Sequence, residues 1–201
     1  MAINFELFGP LILFCIATLF TPGPNNLMMM TSGLNFGLKR SLPHIFGVTL
    51  GFPLLVLLTG IGLGGLFKAF PIFYIILKYA GAAYMLYLAW AIAVSAPGTE
   101  NTKARKRPFT FIEAALFQLV NPKAWIMAIG SISTYDAIAV YSMNAFIISG
   151  VFCLLGFGSS FTWTGFGTGL QHLLKNIKVV RAFNIVMALL LVASIYPILR
   201  E

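Results

Sequence analysis

The stretch FCIATLFTPGPNNLMMM, residues 14–30, decides the fold. It starts as an apolar run, is interrupted by Thr21-Pro22-Gly23-Pro24-Asn25-Asn26, and resumes with Leu27 to Met30. Proline inside a helix removes a backbone donor and clashes with the carbonyl a turn earlier, so Pro22 and Pro24, with flexible Gly23 between them, interrupt the helix. In hydrocarbon the freed carbonyls and amides are costly unless they face protein, water or a bound solute. The break therefore reads as the lining of a polar cavity, and Asn25 and Asn26 add amide donors and acceptors at the same depth.

The rest of the chain places this break in a membrane. Hydrophobic residues make up 59% of the 201 positions, charged residues only 9%, and the mean hydropathy is +0.92. A soluble domain carries about 25% charged residues and could not cover this much apolar surface. A transmembrane helix takes about 20 apolar residues, so the chain holds about six spans and no separate soluble domain. The apolar runs put them at residues 7–30, 45–67, 72–94, 109–135, 145–170 and 179–199. The first run lacks a preceding Lys or Arg and a small-residue cleavage pattern, and is expected to be a retained helix rather than a signal peptide.

A second interruption, ALFQLVNPKAWIMAIG at residues 115–130, falls in the fourth span where the first falls in the first span. It supplies Gln118, Asn121, Pro122 and Lys123. The second span carries Gly47 and Gly51, and the fifth carries Gly150, Gly156 and Gly158 at a comparable distance. Three spans per half is an odd number, so a duplicated half must insert upside down relative to its partner. The expected fold is an all-α polytopic membrane protein with two inverted three-helix repeats, residues 1–96 and 109–201, whose first and fourth helices are broken. A basic linker, residues 97–108, joins them.

Charge sets the expected orientation. Of the thirteen Lys and Arg residues, nine (Lys39, Arg40, Lys103, Arg105, Lys106, Arg107, Lys175, Lys178 and Arg181) follow the first, third and fifth spans. By the positive-inside rule these loops are cytoplasmic and both termini lie outside the cytoplasm. Topology explains the net charge of +8 better than nucleic-acid binding, because the basic residues are dispersed between spans rather than gathered on one face.

Lys123 lies in an apolar run, where an ammonium must find water, carbonyl oxygens or a carboxylate. Snorkelling to the interface is the bland reading, and contact with a substrate carboxylate is the sharper one. Glu113 is the acidic residue placed within a span, near the basic linker; it is a candidate for ion coupling, with a salt bridge to Arg107 as the competing role. Cys15 and Cys153 have no C-x-x-C spacing and read as packing residues. His44 and His172 read as interfacial residues rather than metal ligands. Trp90, Trp125 and Trp163, with Tyr79, Tyr84 and Tyr87, fit interfacial anchors or cavity walls. No catalytic pair, nucleophile elbow, phosphate loop or cofactor motif is present, so a carrier is expected rather than an enzyme.

Thr21 to Asn25, Asn121 to Lys123, and Ala-Gly-Ala-Ala-Tyr-Met-Leu-Tyr-Leu-Ala-Trp from Ala80 to Trp90 together resemble the LysE/RhtB family of amino-acid exporters, in order and over nearly the whole chain. Residues 117–121 and the third span are most similar to the branch that exports cysteine and O-acetylserine. Ala114, where glycine is common in the family, and Asn184, where a small residue is usual, depart from the family pattern. The resemblance implies amino-acid efflux by secondary active transport in a bacterial inner membrane. It implies coupling to an ion gradient, a proton or another ion; the two breaks themselves give the expected substrate path, Pro22, Gly23, Pro24, Asn25, Gln118, Asn121, Pro122 and Lys123, with no cofactor expected and the oligomeric state, a homo-oligomer included, left open.

Overall fold

The computed structural model describes residues 3–63, 71–94, 107–139, 141–173 and 176–196. Among them every regular element is helical. After a 3-10 turn at Phe5–Leu7 come α1 (Phe8–Phe20), α2 (Pro24–Arg40), α3 (Leu42–Leu58, prolonged by a π-helical turn at Thr59–Leu63), α4 (Pro71–Ala93), α5 (Phe111–Val120), α6 (Pro122–Thr134), α7 (Tyr141–Leu173) and α8 (Ile177–Ala193). Residues 97–106 of the expected linker, with Glu100, Lys103, Arg105 and Lys106, lie outside the described residues. So do Lys68, Lys175, Arg200, Glu201 and the side chains of Lys78 and His172.

Leu42–Gly62 and Met143–Gln171 are each long and apolar enough to cross a bilayer, and Phe5–Phe20 with Pro24–Arg40 forms a third such unit, bent by 55°. The 23 residues of α4 reach about 35 Å at 1.5 Å per residue, also enough. Large apolar side chains point outward on several spans, with Leu13 69%, Leu116 58%, Leu154 76% and Leu189 62% exposed. Water would not tolerate such a surface, and lipid requires it. The protein is an all-α polytopic membrane protein.

Both breaks follow from local chemistry. Pro24 and Pro122 each open the second half-helix, where a missing N–H leaves no intrahelical bond unmade. The residues before them, Gly23 (φ −170°, ψ 179°) and Asn121 (φ −88°, ψ 109°), are extended, as the proline ring demands of its predecessor.

The first broken helix runs further than its apolar pattern. It was expected to end near residue 30 with the second span starting at 45, yet α2 continues to Arg40 and Ser41 alone separates it from α3. The polar residues of this extension are satisfied within protein. Thr31 Oγ1 donates to the Leu27 carbonyl at 2.8 Å, Asn35 Nδ2 to that of Thr31 at 2.9 Å, and Ser32 Oγ bonds His44 Nδ1 at 2.9 Å. The turn towards α3 is made at Gly37, whose φ of +76° favours glycine.

The two halves interlock. α3 and α7 run antiparallel, with Phe52 edge-on to Phe152 at 5.0 Å, Phe46 to Phe157 at 5.7 Å, and Ser149 Oγ donating to the Pro53 carbonyl at 2.7 Å. α2 lies along α7, α5 along α3, and α4 against α8. Lipid tails are as apolar as leucine, so close backbone approach and buried polar pairs carry more of this association than they do in water. Gly47 meets the Phe111 carbonyl and the Ala114 methyl, and Gly51 meets Ala115. Ala114, a departure from the resembled pattern, is thus accommodated by a glycine opposite. Asn184, the other departure, is fully buried and exchanges amide hydrogen bonds of 3.1 and 3.2 Å with Asn35 across α2 and α8.

Gly150 and Gly158 face outward with nothing within 4 Å, so they are not packing counterparts of Gly47 and Gly51. The glycine of α7 that packs as those do is Gly167, against α2. His44 is fully buried rather than interfacial, bonded to Ser32 and with its ring 4.8 Å from that of Phe109, because the tight α2–α3 turn carries it under α5.

Candidate functional site

Two buried clusters divide the interior. One gathers Met28, Met85, Leu88, Phe117 and Leu191 from α2, α4, α5 and α8; the other gathers Leu11, Val56, Met127, Ile148 and Phe152 from α1, α3, α6 and α7. Between them, at the level of both breaks, lies a cavity with about 40 Å³ open to the centre of a water molecule, room for about three waters. Thr18, Leu19, Gly23, Asn25, Asn26 and Met29 line it from the first broken helix, and Asn121, Lys123, Ala124 and Met127 from the second. α3 contributes Val48, Thr49 and Phe52, and α7 contributes Phe152, Gly156, Ser159 and Ser160.

The breaks are tied to each other by side chains far apart in sequence. Asn25 Nδ2 donates to Gln118 Oε1 at 2.8 Å, and Gln118 Nε2 returns a bond to Asn25 Oδ1 at 3.1 Å. Gln118 Nε2 also reaches the Ala114 carbonyl, 2.8 Å away within its own helix. From the other side Lys123 Nζ donates to the Thr21 carbonyl, and its chain lies across Gly23, where an added Cβ would stand 2.7 Å from Lys123 Cδ. Gly23 is extended and free of strain, so the site needs its small size rather than its flexibility.

Two carbonyls at the first break are engaged by side chains. Asn26 Nδ2 donates to those of Leu19 (3.0 Å) and Thr21 (2.9 Å), Ser159 Oγ also donates to Leu19 (2.8 Å), and Lys123 adds a second donor at Thr21. At the second break Trp125 Nε1 donates to the Leu119 carbonyl at 2.8 Å, placing this tryptophan beneath the break rather than on the cavity wall. An unused acceptor is found elsewhere. Asn121 is 2% exposed, and its Oδ1 is fully buried with no hydrogen-bond partner. Such a group costs about 1–3 kcal/mol unless something occupies it, so it calls for a donor that arrives with a ligand or water.

Of the eight residues expected on a substrate path, Gly23, Asn25, Asn121 and Lys123 line the cavity; Pro22, Pro24, Gln118 and Pro122 do not. Glu113 is not brought to it. Its carboxylate caps the N-terminus of α5, accepting from the Thr110 N–H (2.8 Å) and from both Arg107 guanidinium nitrogens (2.8 and 3.0 Å). Thr49, Ser159, Ser160 and Gly156 were missed in the sequence. Pro53 was the available signal for Thr49, because it removes the N–H that would bond the Thr49 carbonyl one turn earlier. Adjacent serines inside the apolar fifth span were the signal for Ser159 and Ser160.

Comparison with known proteins agrees with this architecture. Residues 16–194 match the family described as LysE type translocator. The chain belongs to that family. This LysE type translocator is 32% identical over 180 residues to a Salmonella typhimurium (strain LT2) protein named cysteine/O-acetylserine efflux protein, covering 89% of this chain and 90% of that one. It is 31% identical over 181 residues to the Escherichia coli (strain K12) protein of the same name, with the same coverage. No solved structure matches it.

Proposed function

We propose that this translocator exports a small zwitterionic amino acid or close metabolite across a bacterial inner membrane, and that the solute is held in the cavity between the two helix breaks. The observation that carries the reading is the pairing, on the walls of one cavity, of an ammonium with donors to spare and an asparagine whose buried carbonyl oxygen has no donor. Lys123 has three N–H donors and the Thr21 carbonyl engages one. The remainder, with the first-turn N–H groups of α2 that have no intrahelical acceptor, suit a carboxylate. Asn121 Oδ1 and the Thr49 carbonyl, deprived of its usual donor by Pro53, suit the solute's ammonium. The names of the relatives support a short, polar side chain.

In this reading residues 1–96 and 109–201 are inverted halves joined by the basic linker 97–108, supported by the way each broken helix packs on the other half's second helix. α2 ends at Lys39 and Arg40 and α5 starts just after Arg107, which supports a cytoplasmic position for both and termini outside the cytoplasm. An ion gradient drives export, and Glu113, held by Arg107 and Thr110, serves the helix end rather than the solute. A single cysteine placed within residues 97–106 should be shielded from an impermeant thiol reagent in intact cells. Ready labelling there, with protection at the termini, reverses the orientation.

The function itself is tested with purified protein in liposomes and a panel of labelled cysteine, O-acetylserine, homoserine, threonine, lysine, arginine and leucine. A carrier moves a small solute unaided and unchanged. Chemical conversion of the solute would mean an intramembrane enzyme or thiol oxidoreductase, and neither movement nor conversion would mean a non-transporting subunit of a membrane complex.

A further inference from the structure

α7 presents Phe152, Gly156, Ser159 and Ser160 to the cavity, a stripe at helical spacing. Gly156 differs from the other glycines described above on this helix. Gly167 is dictated by packing, since a Cβ there would stand 1.9 Å from the Met30 carbonyl, whereas Gly150 and Gly158 are exposed with nothing within 4 Å. Gly156 is buried, yet an added Cβ would meet only Thr49 Cγ2, at an ordinary contact distance of 3.7 Å. Glycine in a helix interior is less stable than alanine, and no helix contact at this position requires it. The space left by its missing side chain belongs to the cavity. Beside it the buried hydroxyls of Thr49 and Ser160 lie 3.1 Å apart.

We infer that Gly156, walled by Thr49 and Ser160, forms the subsite for the solute's side chain and sets its upper size, while the hydroxyl pair favours a polar group there. The inference rests on the cavity being the transport site and specifies which solutes enter it. Lys123 and Asn121, with the Thr49 backbone carbonyl, meet the two charges common to every amino acid; Gly156 and the Thr49 side chain come from the α3–α7 wall and meet the part that varies. With so little room in the cavity, a single methyl group is a large fraction of what the subsite offers.

The test compares efflux of labelled glycine, alanine, serine, cysteine, threonine and homoserine from liposomes containing the parent protein, Gly156→Ala, Gly156→Val or Thr49→Ser. Gly156→Ala should leave glycine and alanine within about twofold of the parent and lower threonine and homoserine relative to alanine by about tenfold or more, the discrimination a methyl group makes in a fitted pocket. Gly156→Val should pass only the smallest solutes. Thr49→Ser keeps the hydroxyl and removes the Cγ2 methyl facing Gly156, so it should shift the ratio the opposite way, and it carries the test if the Gly156 variants do not fold. Gly158→Ala, on the exposed face of the same helix, should leave every ratio unchanged.

Parental size ratios in Gly156→Ala and Thr49→Ser, or an equal loss for all solutes in Gly156→Ala, overturn the subsite. A parent protein that moves none of the amino acids overturns the transport reading and the subsite with it, a result distinct from unchanged ratios in an active protein.

Discussion

Lys123→Met should abolish most export while leaving the protein inserted and folded. Methionine keeps much of the length and apolar stem of lysine, so the packing over Gly23 survives, and what is removed is the charge with its donors. The Thr21 carbonyl loses one hydrogen bond but keeps the 2.9 Å bond from Asn26, so no backbone acceptor is left bare. Loss of a half-buried, hydrogen-bonded charge from a bound partner costs about 2 kcal/mol, the lower end of the range for buried pairs, which corresponds to roughly thirtyfold in transport at low solute concentration. Lys123→Arg should be milder in charge terms, but the planar guanidinium is larger and must cross the same narrow space beside Gly23. Efflux of the amino-acid panel from liposomes, normalised to protein content and paired with thermal unfolding in detergent, checks this. A Met variant of normal amount and melting temperature that exports every solute at the parental rate would reduce Lys123 to a snorkelling residue.

A comparably large effect, on stability, is expected from Gly167→Ala and not from Gly165→Ala. Both substitutions improve helix propensity on the same helix, so intrinsic preference favours both equally. Their surroundings differ. A Cβ on Gly167 would lie 1.9 Å from the Met30 carbonyl oxygen and 2.9 Å from the Leu34 amide, both backbone atoms of α2 that no rotamer change can move aside. On the facing helix Gly33 is seated as closely, and a Cβ there would stand 2.1 Å from the Thr164 carbonyl oxygen. α2 and α7 would have to separate, and overpacking of this kind costs about 1–3 kcal/mol or more. At Gly165 nothing lies within 4 Å. A melting temperature for Gly167→Ala within error of that for Gly165→Ala would show that the two helices do not meet through these glycines. Because α2 and α7 line the cytoplasmic side in the proposed orientation, the same substitution should also reduce export by preventing that side from closing.

The parts of this protein legible in the sequence are those governed by local rules. Hydropathy marks the spans because every residue facing lipid must be apolar wherever the chain goes next. Pro22, Pro24 and Pro122 mark the breaks because the proline ring acts on its own backbone and on its immediate predecessor. The first broken helix runs past the end of its apolar pattern because Thr31, Ser32 and Asn35 are polar, yet burial of Thr31 and Ser32 against other helices and the Ser32–His44 bond to α3 keep this segment inside the protein. The tertiary structure alone decided which polar groups are spent and which are available. Asn25 and Gln118, 93 residues apart, satisfy each other, and Lys123 finds a carbonyl 102 residues away. Asn26 and Ser159 cover two of the carbonyls at the proline break, and Asn121 Oδ1 is left without a donor. Glycines make the same point. Gly156, Gly158 and Gly167 are alike as sequence, and one faces the cavity, one faces outward and one is pressed against a neighbouring carbonyl. A glycine or an amide states what it is able to do, but the atom opposite it is set by how α2, α3, α5 and α7 pack, and that depends on contacts between segments that no local pattern encodes.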